Sequence, residues 1–374
     1  MSILPFVHAS GSPGQIGRDV GTMLAPAVAR HVAAWVEHIG HETGASPAAI
    51  RETARLFAEP IRTHAPFLWE ELEGLAQGAR VPIDDLLLLQ ARAEVLRAHR
   101  TARPTPPALE CTTFAVGGRR TSNGGVFFGQ NVDLVPFVES FGVIIRQHPT
   151  EAPATLLYTT AGLLGHNGLN EAGVGVCANF IDDPSGWGDG LPRYLLSRLA
   201  LRRETADDAV KAMLDVPRAA SRNVLVADAR GTFLDAELLR TESAVLTGAD
   251  DLLVHANHLE APAFQGCETP SVNSLCRRAR LQQLFEERGA DAAEAPGPLG
   301  VADFRRFYRD HANAPHSLCA HPFEGRNIQT VVSVIGDLGA RTLDVARGTP
   351  CRNSYATYSL ATCREGALSV TMAE

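Results

Sequence analysis

No stretch of this 374-residue chain is apolar for anything like the roughly 20 residues that a bilayer-spanning helix needs. No run of Lys and Arg is dense enough to make a phosphate-binding surface, and the formal charge is -8, so a nucleic-acid partner is not expected. Residues 1–11 lack a basic start followed by a long apolar stretch, so no secretory signal is read and the cytoplasm is the expected compartment. No CxxC pair occurs, and the seven cysteines are odd in number and irregular in spacing. Neither a disulfide framework nor a thiolate zinc site is expected from that pattern. No HExxH and no internal repeat occur. What is present is 45% apolar and 20% charged residues, enough for a large core and too little polarity for broad disorder.

The chain changes character near residue 110. Before it, apolar spacing predicts helices over Gln15 to Ile39, from Ser46-Pro47 towards Ile61, over Pro66 to Gly78 and over Pro82 to Ala98. Residues 101–110 hold three prolines, which cannot sustain a helix and leave few donors for a sheet, so an extended, exposed linker is expected. After it come short β-rich runs with Gly and Asn turns: Thr112 to Val116, Val126 to Gln130, Phe141 to Gln147, Ala154 to Thr160, and two more around Asn170-Glu-Ala-Gly173. A helical block over Pro192 to Leu214 follows, then strands at Asn223 to Asp228, Phe233 to Leu239, Ala244 to Thr247 and Leu252 to Ala256. Helices are expected over Val272 to Arg288 and Val301 to His311, and strands at Thr330 to Ile335, Thr342 to Arg347 and Tyr355 to Leu360. Strands, helices and strands again indicate an α+β layered fold rather than alternating βαβ units.

Cys111 stands where the linker meets the first of these strands. Exposed linkers are open to cleavage. A break between Glu110 and Cys111 would give Cys111 a free α-amine, whose reference pKa of about 7.7–8.0 lies just below the roughly 8.5 of a thiol. One residue would then supply nucleophile and base together. On position alone, Cys111 is one of seven cysteines, and a structural role is the ordinary one for a lone cysteine at a strand start.

Three blocks single it out. Glu110-Cys-Thr-Thr-Phe114, Asn123-Gly-Gly125 and Gly129-Gln-Asn-Val-Asp133 resemble, in order and spacing, the acyl-coenzyme A:6-aminopenicillanic acid acyltransferase family. Pro66 to Ala76, Gly168-Leu-Asn170 with Gly173 to Asn179, and Val254-His-Ala-Asn-His258 extend the resemblance over nearly the whole chain. The resemblance implies a four-layer αββα sandwich of the N-terminal-nucleophile (Ntn) hydrolase kind with a helical N-terminal segment. Residues 1–110 would be the α-chain after self-cleavage and residues 111–374 the catalytic β-chain, the two staying associated. It implies Cys111 as nucleophile, Asp133 as the acid that assists self-cleavage and orients the new amine, Asn257 as side-chain donor of the oxyanion hole, and Arg347 as a functional arginine. Glu110 departs from the fungal enzyme, which has Gly before its nucleophile. The implied partner is a small N-acyl amide or acyl thioester, with no cofactor.

Other readings of these residues stay open. Asp133 can cap a turn, Asn257 can be a satisfied core amide, and Arg347 can sit in a surface ion pair. His255 and His258, three apart, are candidate zinc ligands for a metal-dependent amidohydrolase, and His311, His316, Cys319 and His321 form a second group of imidazole and thiolate. Without a recognised ligand spacing, no metal is expected. A third reading is an unprocessed module that binds a small molecule without catalysis.

Overall fold

The computed structural model describes residues 3–100, 110–122, 124–182, 186–290, 298–361 and 371–372. The linker expected at residues 101–110 lies outside them except for Glu110.

The chain opens with a strand that the sequence reading did not contain, β1 (Phe6–Gly11), and then runs into α1 (Pro13–Thr43), α2 (Pro47–Arg55), α3 (Ala58–His64), α4 (Pro66–Ala79) and α5 (Ile83–His99). Ser12 caps α1 with a capping box to Gln15, and Gly44 ends it in the left-handed region at φ 74°. The helix expected to reach Ile61 breaks at Leu56-Phe57. Pro60 has no N–H and clashes with the fourth carbonyl before it, so it is accommodated only in the first turn of a new helix. Helices α1 and α4 pack backbone to backbone. A Cβ at Gly17 would lie 2.0 Å from the Glu71 carbonyl oxygen, and one at Gly74 would lie 2.1 Å from that of Gly14. Only glycine permits that approach.

The strands that follow are β2 (Glu110–Val116), β3 (Phe127–Leu134), β4 (Gly142–Pro149), β5 (Thr155–Thr160), β6 (Asn167–Asn170) and β7 (Val174–Asn179). The expected helical block resolves into α6 (Leu196–Ala200) and α7 (Ala206–Leu214), because Thr205 caps a fresh helix by accepting from the Asp208 N–H. Then come β8 (Arg222–Asp228), β9 (Phe233–Leu238), β10 (Ser243–Thr247), β11 (Leu252–His255), α8 (Val272–Ala290), α9 (Val301–Phe307), β12 (Gln329–Asp337), β13 (Thr342–Arg347), β14 (Ala356–Ser359) and β15 (Thr371–Met372).

Among the described residues the strands form two sheets. One runs β1-β4-β5-β6-β7-β8-β9-β10, the other β11-β2-β3-β12-β13-β14-β15. Pairing is antiparallel throughout, except that β1 lies parallel to β4. The sheets stack face to face, with β2 and β3 against β7 and β8. Helices α1, α6 and α7 cover the outer face of the first sheet, and α8 and α9 cover that of the second. This is the expected αββα layering.

One apolar core runs through the N-terminal helices and both sheets, joining Val28, Trp35 and Leu86 to Ile144, Leu157 and Val332. Buried polar bonds reinforce the junction. Glu71 on α4 pairs with Arg198 on α6 at 2.7 Å and accepts from Gln147 on β4 at 2.8 Å. Gln90 on α5 donates to the Gly162 carbonyl at 2.8 Å. The N-terminal segment is therefore built into the sandwich rather than tethered to it.

Candidate active site

Strand alternation explains the Gly129–Asp133 block residue by residue. Gln130 and Val132 face the other sheet, where the Gln130 amide grips Ala178, donating to its carbonyl at 2.6 Å and accepting from its N–H at 3.3 Å. Asn131 and Asp133 face the helical layer, where Asn131 donates to the carbonyls of Tyr308 and Leu318 at 3.0 and 2.9 Å. Gly129 leaves room for rings: a Cβ there would meet Phe114 at 2.6 Å. The block thus pins β3 to both neighbouring layers and fixes β2 beside it, with Cys111 opposite Val132 and Glu110 opposite Asp133.

Cys111 is buried at the start of β2. Its backbone N–H donates to Asn257 Oδ1 at 2.8 Å, and its carbonyl accepts from Arg277 at 2.5 Å. Arg277, on α8, also donates to Thr112 Oγ1 at 2.6 Å, to Asn257 Oδ1 at 2.8 Å and to Asn273 Oδ1 at 2.6 Å, and lies 3.7 Å from the Glu110 carboxylate. Glu110 is further paired with Arg326. The Asp133 N–H bonds to the thiol, while its carboxylate accepts from Thr330 Oγ1 at 2.6 Å. Burial, together with the Asp133 charge, pushes the Cys111 thiol up to about 11 against the pull of Arg222 and Arg277. Burial also lifts Asp133 to about 6, against the opposing effects of Arg277 and the Thr330 hydroxyl. In the uncut chain Cys111 is therefore a protonated thiol beside a carboxylate that changes charge near neutral pH.

Three of the four residues expected from the resemblance come together: Cys111, Asp133 and Asn257. Arg347 does not join them. It shares a register row with Cys111, but Val132 and Val332 intervene, which sets it three strands away, about 14 Å. Its guanidinium is 3.8 Å from Glu139. The arginine at Cys111 is Arg277, which sequence reasoning missed. Its signal was present: it lies four residues before Leu281 and eight before Phe285, on the buried stripe of α8.

Asn257 is also placed differently from its expected role. Its Nδ2 donates to the Phe180 carbonyl at 2.8 Å, so the side chain presents an acceptor to the Cys111 nitrogen. The neighbouring Asn179 accepts from Thr113 Oγ1 at 2.8 Å, and its Nδ2 is buried with no hydrogen-bond partner among the described residues.

His255 and His258 do not converge. The His255 ring contacts the Ala256 carbonyl at 2.8 Å and Glu237 at 3.1 Å through its two nitrogens, and His258 Nδ1 contacts Ser274 at 2.7 Å. Burial would lower His255, but Asp235 and Glu237 outweigh it and hold the ring cationic, at about 9. A cationic imidazole with both nitrogens engaged is no metal ligand. Beside Glu110 opens a cavity of about 820 Å³ with an aromatic wall, including Trp35, Phe137, Phe180 and Trp187, and with charged groups of both signs, Arg97 and Arg326 among the basic and Glu42 and Asp182 among the acidic.

The stacked sheets and their helical covers define a four-layer αββα sandwich, with Cys111 buried near the start of an inner strand. Comparison with known proteins then identifies the family. The family model described as acyl-coenzyme A:6-aminopenicillanic acid acyl-transferase matches residues 119–351, and the chain belongs to that family. It is 25% identical over 350 residues to the 40 kDa form of acyl-coenzyme A:6-aminopenicillanic-acid-acyltransferase of Emericella nidulans, covering 92% of each. Among solved structures, a point mutant of conjugated bile acid hydrolase from Clostridium perfringens overlaps with a TM-score of 0.49 at 11% identity, covering 71% of this chain and 96% of that one. Penicillin V acylase from Agrobacterium tumefaciens overlaps at 0.44 with 15% identity, covering 63% and 83%. Family membership places the chain among enzymes of acyl transfer. No helix among the described residues is long and apolar enough to cross a membrane.

Proposed function

We propose that the chain cuts itself between Glu110 and Cys111 and then acts, through the thiol and amine of Cys111, on a small N-acyl amide or acyl thioester. One observation carries the reading: Asn257 Oδ1 already holds, at 2.8 Å, the nitrogen that cleavage would free. The order of events follows from the neighbours. In the precursor the Cys111 thiol attacks the Glu110 carbonyl carbon while Asp133, charged near neutrality, takes up its proton. The Glu110 acyl group passes from nitrogen to sulfur, the peptide C–N bond breaks, and the nitrogen leaves as an amine. Water hydrolyses the thioester, leaving a Glu110 carboxylate and a free thiol.

The amine then serves as base for the mature enzyme. Held by Asn257, it takes the thiol proton as sulfur attacks a substrate carbonyl, and gives it to the departing amine or thiol. The acyl group rests on Cys111 as a thioester until water or an acceptor amine takes it. Asn179 supports the developing oxyanion, because its Nδ2 is a buried donor with no partner among the described residues, next to the residue that holds Asn257. The aromatic wall of the cavity suits an apolar acyl group. The two segments stay together after the cut because they share one core.

Intact mass spectrometry tests this directly. Wild-type protein separates under denaturing conditions into fragments divided at 110/111, and Cys111→Ala gives one inactive chain. An active wild-type enzyme that remains uncut refutes the free-amine mechanism. An uncut chain without activity points to the non-catalytic binding module.

A further inference from the structure

A second cluster lies on the loop from Tyr308 to Ile328, which joins α9 to β12 and contains neither helix nor strand. His311 and His321 bring their Nε2 atoms to 3.1 Å. Cys319 Sγ lies 3.6 Å and Cys351 Sγ 3.4 Å from His321 Nε2. All four ligand atoms fall within 4.8 Å of one another. Tetrahedral zinc binds sulfur at about 2.3 Å and imidazole nitrogen at about 2.0–2.1 Å, which sets edges of about 3.3 Å between nitrogens and about 3.5 Å between nitrogen and sulfur. The three distances match these edges.

We propose that His311, Cys319, His321 and Cys351 bind one zinc ion. This site is independent of the reading of Cys111, and it revises the expectation that the chain binds no metal. Two thiolates and two neutral imidazoles are the donor set that tetrahedral zinc selects, and two thiolates balance its charge. The protein supplies all four ligands and leaves no open position, which is the mark of a structural rather than a catalytic ion. His316, grouped with these residues in the sequence, is turned away, its Nδ1 3.2 Å from Asn273 Nδ2. Cys351, which was not grouped with them, follows β13 and completes the set through the fold.

The ion would staple a long irregular loop to the corner after β13. That loop carries parts of the active site. Ala320, between two of the ligands, donates to Thr330 Oγ1 at 2.9 Å, and Thr330 donates to Asp133 at 2.6 Å. Arg326, on the same loop, pairs with Glu110. Zinc thus holds in register the residues around the Glu110–Cys111 bond while touching neither the bond nor the substrate.

The test starts with untagged wild-type protein, purified without chelators from zinc-supplemented medium and analysed by elemental mass spectrometry. One zinc per chain is expected, falling to background in Cys351→Ser and in His311→Ala. Chelator-stripped wild type titrated with cobalt(II) alone should develop the intense visible bands of a tetrahedral site and a thiolate charge-transfer band, all lost in Cys351→Ser. Zinc should raise the melting temperature of the stripped wild type and leave that of Cys351→Ser unchanged. Because the decisive readings are made on the wild type, a variant that misfolds does not rescue the idea. Wild-type protein with no bound zinc and no cobalt spectrum overturns it, as does a Cys319–Cys351 disulfide in protein kept under reducing conditions.

Discussion

Replacing Asp133 by Asn tests the electrostatics of the site more sharply than removing the nucleophile does. Burial holds the folded carboxyl at about 6 against an ordinary 3.8. The folded state therefore binds this proton more tightly than the unfolded chain. The stability Asp133 contributes is complete below about pH 3.8 and is lost as pH rises through about 6. Two pH units at 1.36 kcal/mol each make the full span about 3 kcal/mol, of which about 2 kcal/mol falls between about pH 4.5 and 7.5. The assay is urea unfolding of the uncut Cys111→Ala protein, with and without Asp133→Asn, at both ends of that window. The parent should lose about 2 kcal/mol more than the double variant on going to the higher pH. All other titrating groups, including the buried Asp235–His255 pair, are common to both proteins and cancel. With Cys111 intact, Asp133→Asn should leave the precursor uncut, and wild-type self-cleavage should speed up as pH rises through about 6. Equal pH slopes in the two uncut proteins would refute the raised carboxyl, and normal processing of the Asn variant would refute its part in the proton transfer.

Three further substitutions test residues that the structure ranks differently from the sequence. Arg277→Lys keeps the charge but cannot span Cys111 O, Thr112, Asn257 and Asn273 with one planar fork, so self-cleavage followed on gels should slow by about tenfold or more, equivalent to about 1.4 kcal/mol. Arg347→Lys, three strands away, should process within about threefold of wild type, and the reverse ranking would restore Arg347 to the site. Asn179→Ala in processed enzyme should lower kcat by about 10²–10³ with little change in KM, the signature of a lost oxyanion donor. An unchanged kcat would move that role elsewhere.

What the sequence made legible is what lies on contiguous strands. Cys111 and Asp133 sit on adjacent hairpin strands, so their spacing along the chain already encodes their pairing. The layered fold followed from counting short strands around helical blocks. The strand β1 escaped because its six residues at the chain's start were read only for a targeting signal, although Val7 and Ala9 alternate inward as a half-buried strand requires. The two arginines failed for a deeper reason. Arg347 has the right position in chain order, but the sheet runs β2-β3-β12-β13, and no local pattern reveals which distant strand will be inserted between two others.

Arg277 needed a different kind of inference, which helix spacing narrows to two candidates without any strand order. Cys276-Arg-Arg-Ala-Arg280 offers three arginines; Arg277 and Arg278 both lie at helical spacing from Leu281 and Phe285, and of the three the fold buries Arg277 alone. A guanidinium on an apolar stripe must be desolvated, at a cost of several kcal/mol, so it persists only where acceptors converge on it. Those acceptors are two side-chain amide oxygens, a hydroxyl and a backbone carbonyl, with Glu110 close by, and all but the Asn273 oxygen surround the bond that is proposed to break. The same logic applies to the zinc ligands. Four residues spread from His311 to Cys351 have their ligand atoms brought within 4.8 Å without a recognisable spacing, and a buried thiol, a half-buried thiol and two imidazoles gain little from one another unless a cation draws them together.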